Sequence, residues 1–219
     1  HQKVGKLPSI TKVLISQKSN HAIALGSNGK IYSWEPETPQ QVKEVELVDS
    51  KLGWFEKIVD VQCGIDHLVA LTNQGKVFSG FLSNNASAQH HGQLGIAALP
   101  HFEPIPEPLK LHQIKLLEGE IKQIACGNYH TLFLNNNQEL YGCGSNQFGQ
   151  LMLPFTWKNT KVSVPTKLQS QCTSVAAGSS ISVFNQQGSW MASGNGEFGQ
   201  FGTGAFSQCQ VSCLLYTSD

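Results

Sequence analysis

The stretch Cys143-Gly-Ser-Asn-Gln-Phe-Gly-Gln-Leu151 returns fifty residues later as Ser193-Gly-Asn-Gly-Glu-Phe-Gly-Gln-Phe201. The two copies align without a gap, and each carries glycine at its second and seventh positions. A third copy lies upstream in two halves, Ser83-Asn-Asn85 and Gly92-Gln-Leu-Gly95, which the insertion 86–91 separates. Repetition at this spacing is typical of a chain that stacks one supersecondary unit, so the repeat is the main indication of the fold.

The repeated unit extends toward the N-terminus of each copy. Gly64, Gly127 and Gly178 match one another, and each follows a small residue and a stretch of alternating apolar residues. His67 and His130 come three positions after the first two glycines, where the third copy has an isoleucine. The matched glycines give units of roughly 50 to 63 residues, a size typical of arrays and propeller blades. We predict a degenerate repeat at about 4–45, followed by repeats at about 46–108, 109–164 and 165–212.

We predict that the recurring positions have structural roles. Leu94, Leu151 and Phe201 are expected to act as apolar plugs that close one unit onto the next. Asn146 aligns with Gly196, an exchange that predicts a positive φ at this position. The full set is Gly64, His67, Gly92, Gln93, Leu94, Gly127, His130, Gly144, Asn146, Gly149, Gln150, Leu151, Gly178, Gly194, Gly196, Gly199, Gln200 and Phe201.

Short strands joined by tight turns are predicted inside each unit. The segments 67–71 and 77–79 are predicted to be strands joined by a turn that contains Gly75. The same pattern recurs at 22–34 and at 182–190, where Gly188 lies in the turn. The copy at Asn135–Asn137 has no glycine, so asparagine is expected to take the left-handed conformation there. Residues 109–124 contain enough Leu, Lys and Glu to suggest a helix, but the repeat register predicts a connection and then a strand at 121–126.

The composite pattern resembles that of a known repeat family. Cys-Gly-x-x-His-x-x-x-Leu, a hairpin with glycine, and Gly-x-Asn-x-x-Gly-Gln-Leu together resemble the repeat of the regulator of chromosome condensation family. The resemblance covers about residues 10–204, and it is weak in the first copy around His21. It implies a β-propeller of seven blades with four antiparallel strands each, whereas the periodicity alone implies an all-β array.

Four repeats are fewer than the seven that the resemblance implies. We therefore expect an incomplete propeller of about four blades, and the alternative is a complete propeller with four blades. No closing strand is expected after the Gly-Gln-Phe-Gly of the fourth unit. Residues 213–219 look like the translation of a sequencing adapter, so we expect them to be a non-native tail outside any sheet.

Composition restricts the classes of function. The 219 residues carry 15 basic and 15 acidic side chains, and the net charge of +0 argues against nucleic-acid binding through phosphate contacts. All the basic residues are lysines, so bidentate arginine clamps and arginine fingers do not occur in this sequence. No apolar run approaches the roughly 20 residues that cross a membrane. The six cysteines include no CxxC pair, which favours reduced thiols and an intracellular location: cytoplasm, nucleus or organelle interior.

Histidines are the residues that most suggest a site. Each of His67 and His130 lies near a cysteine and could form half of a zinc site, but the two sets fall in different units. We expect both to be buried, hydrogen-bonded to protein groups and free of metal. The adjacent residues His90 and His91, in the insertion of the second unit, are expected to lie in a solvated loop. The candidate partner loop is Asn84, Asn85, His90 and His91.

The sequence contains no motif of a catalytic or cofactor-binding site. We predict a non-catalytic propeller scaffold that binds a protein partner through the insertions at 84–91 and 153–164. The alternative is a guanine-nucleotide exchange factor for a small Ran-like GTPase, which the family resemblance alone implies.

Overall fold

The structure, a computed structural model, describes residues 7–16, 20–48, 52–83, 90–96, 107–154, 156, 159–202, 204 and 207–214, the last of these for the backbone alone. Within these residues the strands form four sheets, and no segment is α-helical. The predicted all-β class and the propeller arrangement of about four blades are therefore confirmed. The described residues offer no helix that could cross a membrane.

Each sheet is an antiparallel meander of four strands, and sheet 2 has one further strand. Sheet 1 consists of β1 (Ile10–Ile15), β2 (Ala22–Gly26), β3 (Ile31–Trp34) and β4 (Lys43–Glu44). Sheet 2 consists of β6 (Ile58–Cys63), β7 (His67–Thr72), β8 (Val77–Phe81) and β9 (Lys110–Gln113), with β5 (Glu46–Val48) parallel to β9. Sheet 3 consists of β10 (Ile121–Cys126), β11 (His130–Asn135), β12 (Leu140–Ser145) and β13 (Lys161–Gln169). Sheet 4 consists of β14 (Cys172–Gly178), β15 (Ile181–Gln186), β16 (Ser189–Gly196) and β17 (Ser207–Leu214).

The sheets are offset from the sequence repeats. β9 and most of β13 lie at the start of the predicted repeats 109–164 and 165–212, yet they pair with β8 and β12 of the preceding sheets. In these two repeats the first strand thus becomes the fourth strand of the meander before it. Consecutive units are interlocked through their backbone hydrogen bonds as well as through side-chain packing.

The hydrophobic core lies between neighbouring sheets. Ile23 and Leu25 of sheet 1 pack with Val61 and Phe78 of sheet 2. A second cluster joins sheet 2 to sheet 3, and a third joins sheet 3 to sheet 4 around Phe184. Burial of apolar area at these three layers is the main force that holds the sheets together.

The first strand of every sheet carries the same irregularity. Its register shifts after the first residue, at Thr11, Val59, Lys122 and Thr173. Positions at the same distance from this shift are therefore equivalent in the four first strands. Val61, Ile124 and Val175 are equivalent in this alignment and at most 3% exposed, whereas Val13 of sheet 1 is 56% exposed. Sheet 1 therefore exposes an apolar side chain, Val13, at the position where each of the other three sheets buries one.

The hairpin turns confirm two predictions and correct a third. Gly75 and Gly188 lie in turns at φ of 75° and 86°, as expected. In sheet 3 the left-handed residue is Gln138, at φ of 62°, and not an asparagine. The N–H of Gln138 donates to the carbonyl oxygen of Asn135 at 3.2 Å, just as Gly75 bonds Thr72. The turn geometry fixes the conformation of its fourth position whichever residue stands there.

Sheet 4 corrects the expectation for the C-terminal tail. β17 is the closing strand that we did not expect, and its residues Cys213 and Leu214 pair with Ala192 and Met191 of β16. An extended segment that satisfies the backbone groups along the edge of β16 is favourable whatever its side chains are. Residues 215–219 lie outside the described residues.

Gln138→Gly should stabilise the protein by about 1 kcal/mol, because an exposed non-glycine residue at positive φ is strained and loses no buried contact when truncated. Asn137→Gly in the same turn is the matched control. Asn137 is exposed and has no positive φ, so this change should lower stability. Urea unfolding of both variants measures the two free energies, and a loss of stability in Gln138→Gly would contradict the strain argument.

Candidate functional site

Two equivalent hydrogen-bonded joints connect sheets 2, 3 and 4. In the first joint the hydroxyl of Thr131 donates to the carbonyl oxygen of Gln93 at 2.8 Å. Nε2 of His67 lies 3.1 Å from the same hydroxyl. Thr131 belongs to β11 of sheet 3, whereas His67 opens β7 and Gln93 lies in the turn that follows β8. One hydroxyl of sheet 3 therefore holds two parts of sheet 2.

The second joint repeats this arrangement one sheet later. The hydroxyl of Ser182 in sheet 4 donates to the carbonyl oxygen of Gln150 at 2.6 Å, and Nε2 of His130 lies 3.0 Å from it. Ser193 adds a bond from the neighbouring strand to the carbonyl oxygen of Gly149, also at 2.6 Å. The predicted structural roles of the histidines and of the Gly-Gln turns thus belong to one contact between sheets.

The hydrogen bonds determine the tautomer of both histidines. Each hydroxyl donates its proton to a carbonyl oxygen, so it can only accept from the imidazole, which makes Nε2 the protonated nitrogen. Nδ1 of both rings has no hydrogen-bond partner among the described residues. Burial lowers the pKa of His67 to about 3, with a smaller contribution from His130, and burial lowers the pKa of His130 to about 4. Both rings are therefore neutral near pH 7, and their predicted burial and hydrogen bonding are confirmed.

The glycine three positions before each histidine leaves room for the ring. A Cβ added at Gly64 would collide with Cε1 of His67 and with the carbonyl oxygen of Gly127 in the next sheet. A Cβ at Gly127 would likewise collide with the ring of His130. These glycines are needed for the close approach of a side chain and a backbone, because neither has a positive φ.

Each Gly-Gln turn is closed by its own glutamine side chain. The Oε1 atoms of Gln93, Gln150 and Gln200 accept from the N–H two residues earlier, at 2.7, 3.0 and 2.8 Å. The apolar residue that follows is buried in all three copies. Leu151 packs with Leu132 of sheet 3 and Phe184 of sheet 4, which is the position that a plug between these units requires.

The predicted positive φ at Asn146 and Gly196 is wrong. The positive angles fall on the flanking glycines, 111° at Gly144 and 124° at Gly194. Asn146 has a role of its own, since its Oδ1 accepts from the N–H of Leu151 at 2.8 Å and its Nδ2 donates to Leu153. What Asn146 and Gly196 share is a carbonyl oxygen that accepts the turn bond from the glycine three residues later.

The candidate partner loop is packed where the structure describes it. Nδ1 of His90 accepts from the N–H of Gly92 at 3.1 Å, and its ring meets Phe81 edge to face. The ring of His91 lies 4.7 Å from that of Tyr129 in sheet 3. Burial and then Lys161 lower the pKa of both histidines. The expectation of a solvated loop is therefore wrong for this pair, and Asn84 and Asn85 lie outside the described residues.

The insertions of sheets 2 and 3 meet on one face, which we call the loop face and define by residues 90–96, 127–129, 146–154 and 159–162. A Cβ added at Gly92, which directly follows the insertion of sheet 2, would lie 2.5 Å from the carbonyl oxygen of Val162 in the segment 153–164. The end of one insertion therefore lies against the other. A cavity of about 290 Å³ is lined by Gly127 and Asn128 of this face and by residues at the ends of the first strands, such as Cys63 and Cys126. The loop face thus combines variable connections with a depression between the first strands.

Cysteines 63, 126, 143 and 172 are free thiols. Burial raises the pKa of Cys63 and Cys126, so both are held in the unreactive thiol form. Among the described residues, no cluster of three or more His, Cys, Asp or Glu side chains has the geometry for a metal ion.

Sequence reasoning missed the hydroxyl residues of the joints. Thr131 directly follows His130, and Ser182 occupies the same position of the next sheet. The recurrence of a hydroxyl at this position was visible in the sequence, but its partners lie 64 and 52 residues away. The pairing between units could not be read from either repeat alone.

Comparisons with known proteins agree with this geometry. The sequence profile described as the regulator of chromosome condensation (RCC1) repeat matches residues 88–134 and 137–184, and a second profile of the same description matches 121–150. The chain belongs to the regulator of chromosome condensation repeat family. The crystal structure of Kap60 bound to yeast RCC1 (Prp20) is similar with a TM-score of 0.74 and 22% identity, over 99% of this chain and 51% of that chain. At 22% identity, this similarity shows that the two chains share a fold and nothing further.

Two relatives illustrate the range of the family. Protein FMP25, mitochondrial, of Saccharomyces cerevisiae is 30% identical over 86% of this chain and 37% of its own length. The RCC1-like G exchanging factor-like protein of Mus musculus is 36% identical over 43% of this chain and 19% of its own length. The chain thus spans well under half the length of either relative.

Stability should fall on acidification because of His67 and His130. Between pH 6.5 and the folded-state values, the unfolded chain binds more protons, so the free energy of unfolding rises with pH by about 1.4 kcal/mol per pH unit for each histidine. The loss begins below pH 6.5 and ends near pH 4 for His130 and near pH 3 for His67. His130→Gln, which keeps an N–H donor, should lower the slope measured by chemical unfolding from pH 7 to 5 by the share of one histidine, while His67, His90 and His91 still contribute to it. His21→Gln in sheet 1 is the matched control, and an unchanged slope in His130→Gln would contradict the assignment.

Leu151→Ala should lower the free energy of unfolding by about 3 kcal/mol, because it leaves a cavity between sheets 3 and 4. Phe198→Ala removes a larger apolar side chain that is 82% exposed, and it should change stability by less than about 0.5 kcal/mol. His91→Ala is not a suitable control because the ring of His91 contacts Tyr129. Equal effects of Leu151→Ala and Phe198→Ala on the unfolding midpoint would contradict the plug.

Proposed function

We propose that this chain is a non-catalytic β-propeller scaffold that binds a protein partner through its loop face. The observation that carries the proposal is the contact of Gly92, which directly follows the insertion of sheet 2, with Val162 in the segment 153–164 of sheet 3. Long connections that converge on a rigid array are the usual binding elements of repeat proteins. The hairpin turns at the opposite ends of the same sheets are only a few residues long.

The chemistry of the described residues supports binding without catalysis. The buried histidines are neutral, and their Nε2 atoms are used in the joints between sheets. The thiols have raised pKa values, so they are poor nucleophiles. The similar Prp20 structure is described as a complex with Kap60, which is a protein partner of that protein. An intracellular location belongs to the same proposal, and one similar relative is named as mitochondrial.

The second candidate is a guanine-nucleotide exchange factor for a small Ran-like GTPase. One specific observation favours it: a relative 36% identical over 94 residues is named an exchanging factor-like protein. Exchange would use the same face, since a scaffold and an exchange factor both need a surface that a folded partner can contact.

Charge reversal on the loop face tests the scaffold. Lys161 is exposed beside His90 and His91, so Lys161→Glu should change the association rate of a protein partner, as charges at the rim of an interface do. Lys122→Glu makes the same change of charge at the far end of sheet 3 and is the matched control. Partners recovered with the full-length protein and then purified give the rates by surface plasmon resonance. Equal rates for both variants and the wild type would contradict the loop face.

Nucleotide release from a panel of purified small GTPases separates the two candidates. The scaffold predicts binding with no acceleration of release, whereas a catalytic acceleration by the full-length protein would put the exchange factor first. Loss of that acceleration in Lys161→Glu would then place exchange on the loop face.

A further inference from the structure

Two aromatic side chains project from the end of sheet 2 opposite the loop face. Trp54 is fully exposed and Phe55 is 88% exposed, and both lie in the connection that leads into β6. Soluble proteins place single apolar residues on their surface freely, whereas contiguous exposed apolar surface marks interaction sites. The pair is the most exposed aromatic feature among the described residues.

The turn that carries the pair is rigid. The N–H of Gly53 donates to the carboxylate of Glu56 at 3.2 Å, and the N–H of Glu56 donates back to the carbonyl oxygen of Gly53 at 2.9 Å. Glu56 is buried and also accepts from Nζ of Lys76 at 2.7 Å. Asn73 donates to the carbonyl oxygen of Phe55 at 2.9 Å. The backbone beneath the two rings is therefore held in place before any partner arrives, which lowers the entropic cost of binding.

Charges around the turn distinguish among partners. The carboxylate of Glu56 is neutralised by Lys76, and Lys30 of the neighbouring hairpin is paired with Glu44. Lys57 is exposed directly after the turn and lies against Gly29 of sheet 1. Among these described lysines, Lys30 and Lys76 are neutralised by carboxylates, which leaves Lys57 as the exposed cation without an ion pair, whereas anionic membranes attract clusters of such cations. Charge complementarity thus favours a protein surface with a carboxylate opposite Lys57.

We propose that Trp54 and Phe55 form a second interaction surface, which inserts into an apolar pocket of a folded protein partner with a carboxylate at its rim. Two projecting rings need a concave complement, and tryptophan is among the residues that dominate the affinity of such contacts. This surface lies at the opposite end of the sheets from the loop face. It stands whether or not the loop face binds a partner.

Photocrosslinking followed by binding measurements tests the proposal. The full-length protein with Trp54→p-benzoylphenylalanine is irradiated in its own cell, and Trp190→p-benzoylphenylalanine on β16 is the matched control. We expect a discrete protein adduct at position 54 that the control does not give. The adduct partner is then purified, and its affinity for the wild-type chain and for the variants is measured by calorimetry.

The affinity of that purified partner decides the role of the pair. Trp54→Ala and Phe55→Ala should each weaken binding at least about tenfold without changing the unfolding midpoint, because both side chains are exposed. Lys57→Glu should weaken it by a smaller factor, and Trp190→Ala should leave it unchanged. Glu56→Gln should weaken binding through the turn, although Glu56 is buried and touches no partner.

Four results would each overturn the proposal. They are an adduct with a second copy of the chain, an adduct with lipid together with binding to phosphatidylcholine and phosphatidylserine vesicles, no discrete adduct, and a partner whose affinity is the same for Trp54→Ala and the wild type. A failure of this surface leaves the Lys161 result of the loop face untouched, so the two proposals are separately decided.

Discussion

The arrangement of sheets 2, 3 and 4 depends on the carbonyl groups of the Gly-Gln turns. These carbonyl oxygens are carried between two packed sheets, where an unpaired polar group would cost about 1 to 3 kcal/mol. Each of them receives a hydroxyl from the next sheet, from Thr131 in one joint and from Ser182 in the other. The bond ties the position of one sheet to the backbone of its neighbour, so it sets the orientation that the apolar layers alone would leave adjustable.

The joints explain why the insertions can vary. Each insertion lies beside a Gly-Gln turn, and the glutamine side chain closes that turn on itself. The anchoring point is therefore independent of the residues before and after it. Sheet 2 can carry a long connection and sheet 3 a shorter one while both keep the same contact with the next sheet. A rigid array with exchangeable loops is a physical basis for a binding scaffold, whichever partner the loops select.

The sequence predicted the strands well and the backbone angles poorly. Alternation and register predicted the strand at Ile121–Cys126 with the observed bounds, because the sheets bury their residues in a fixed pattern. The failures at Asn146 and Gln138 have one cause. An exchange of residue types shows that a position tolerates both residues, but not whether the reason is a φ angle, a side-chain hydrogen bond or a shared carbonyl acceptor. The prediction for the C-terminal tail failed for a different reason. Pairing with the edge of β16 depends on backbone hydrogen-bonding groups and only weakly on the side chains of the added strand.

The joint forms only where the glycine, the histidine and the hydroxyl residue are all present. Sheet 1 has His21 at the position equivalent to His67. Its Ser16 stands at the position of Gly64. In sheet 2, Leu68 stands at the position that Thr131 occupies in sheet 3. Sheet 4 keeps the glycine as Gly178, yet Ile181 replaces the histidine, and the space that a Cβ would fill is open. A glycine without its histidine leaves a gap, as at Gly178. The hydrogen-bonded joint is therefore complete between sheets 2 and 3 and between sheets 3 and 4, whereas sheets 1 and 4 each keep only one of the glycine and the histidine at the equivalent positions.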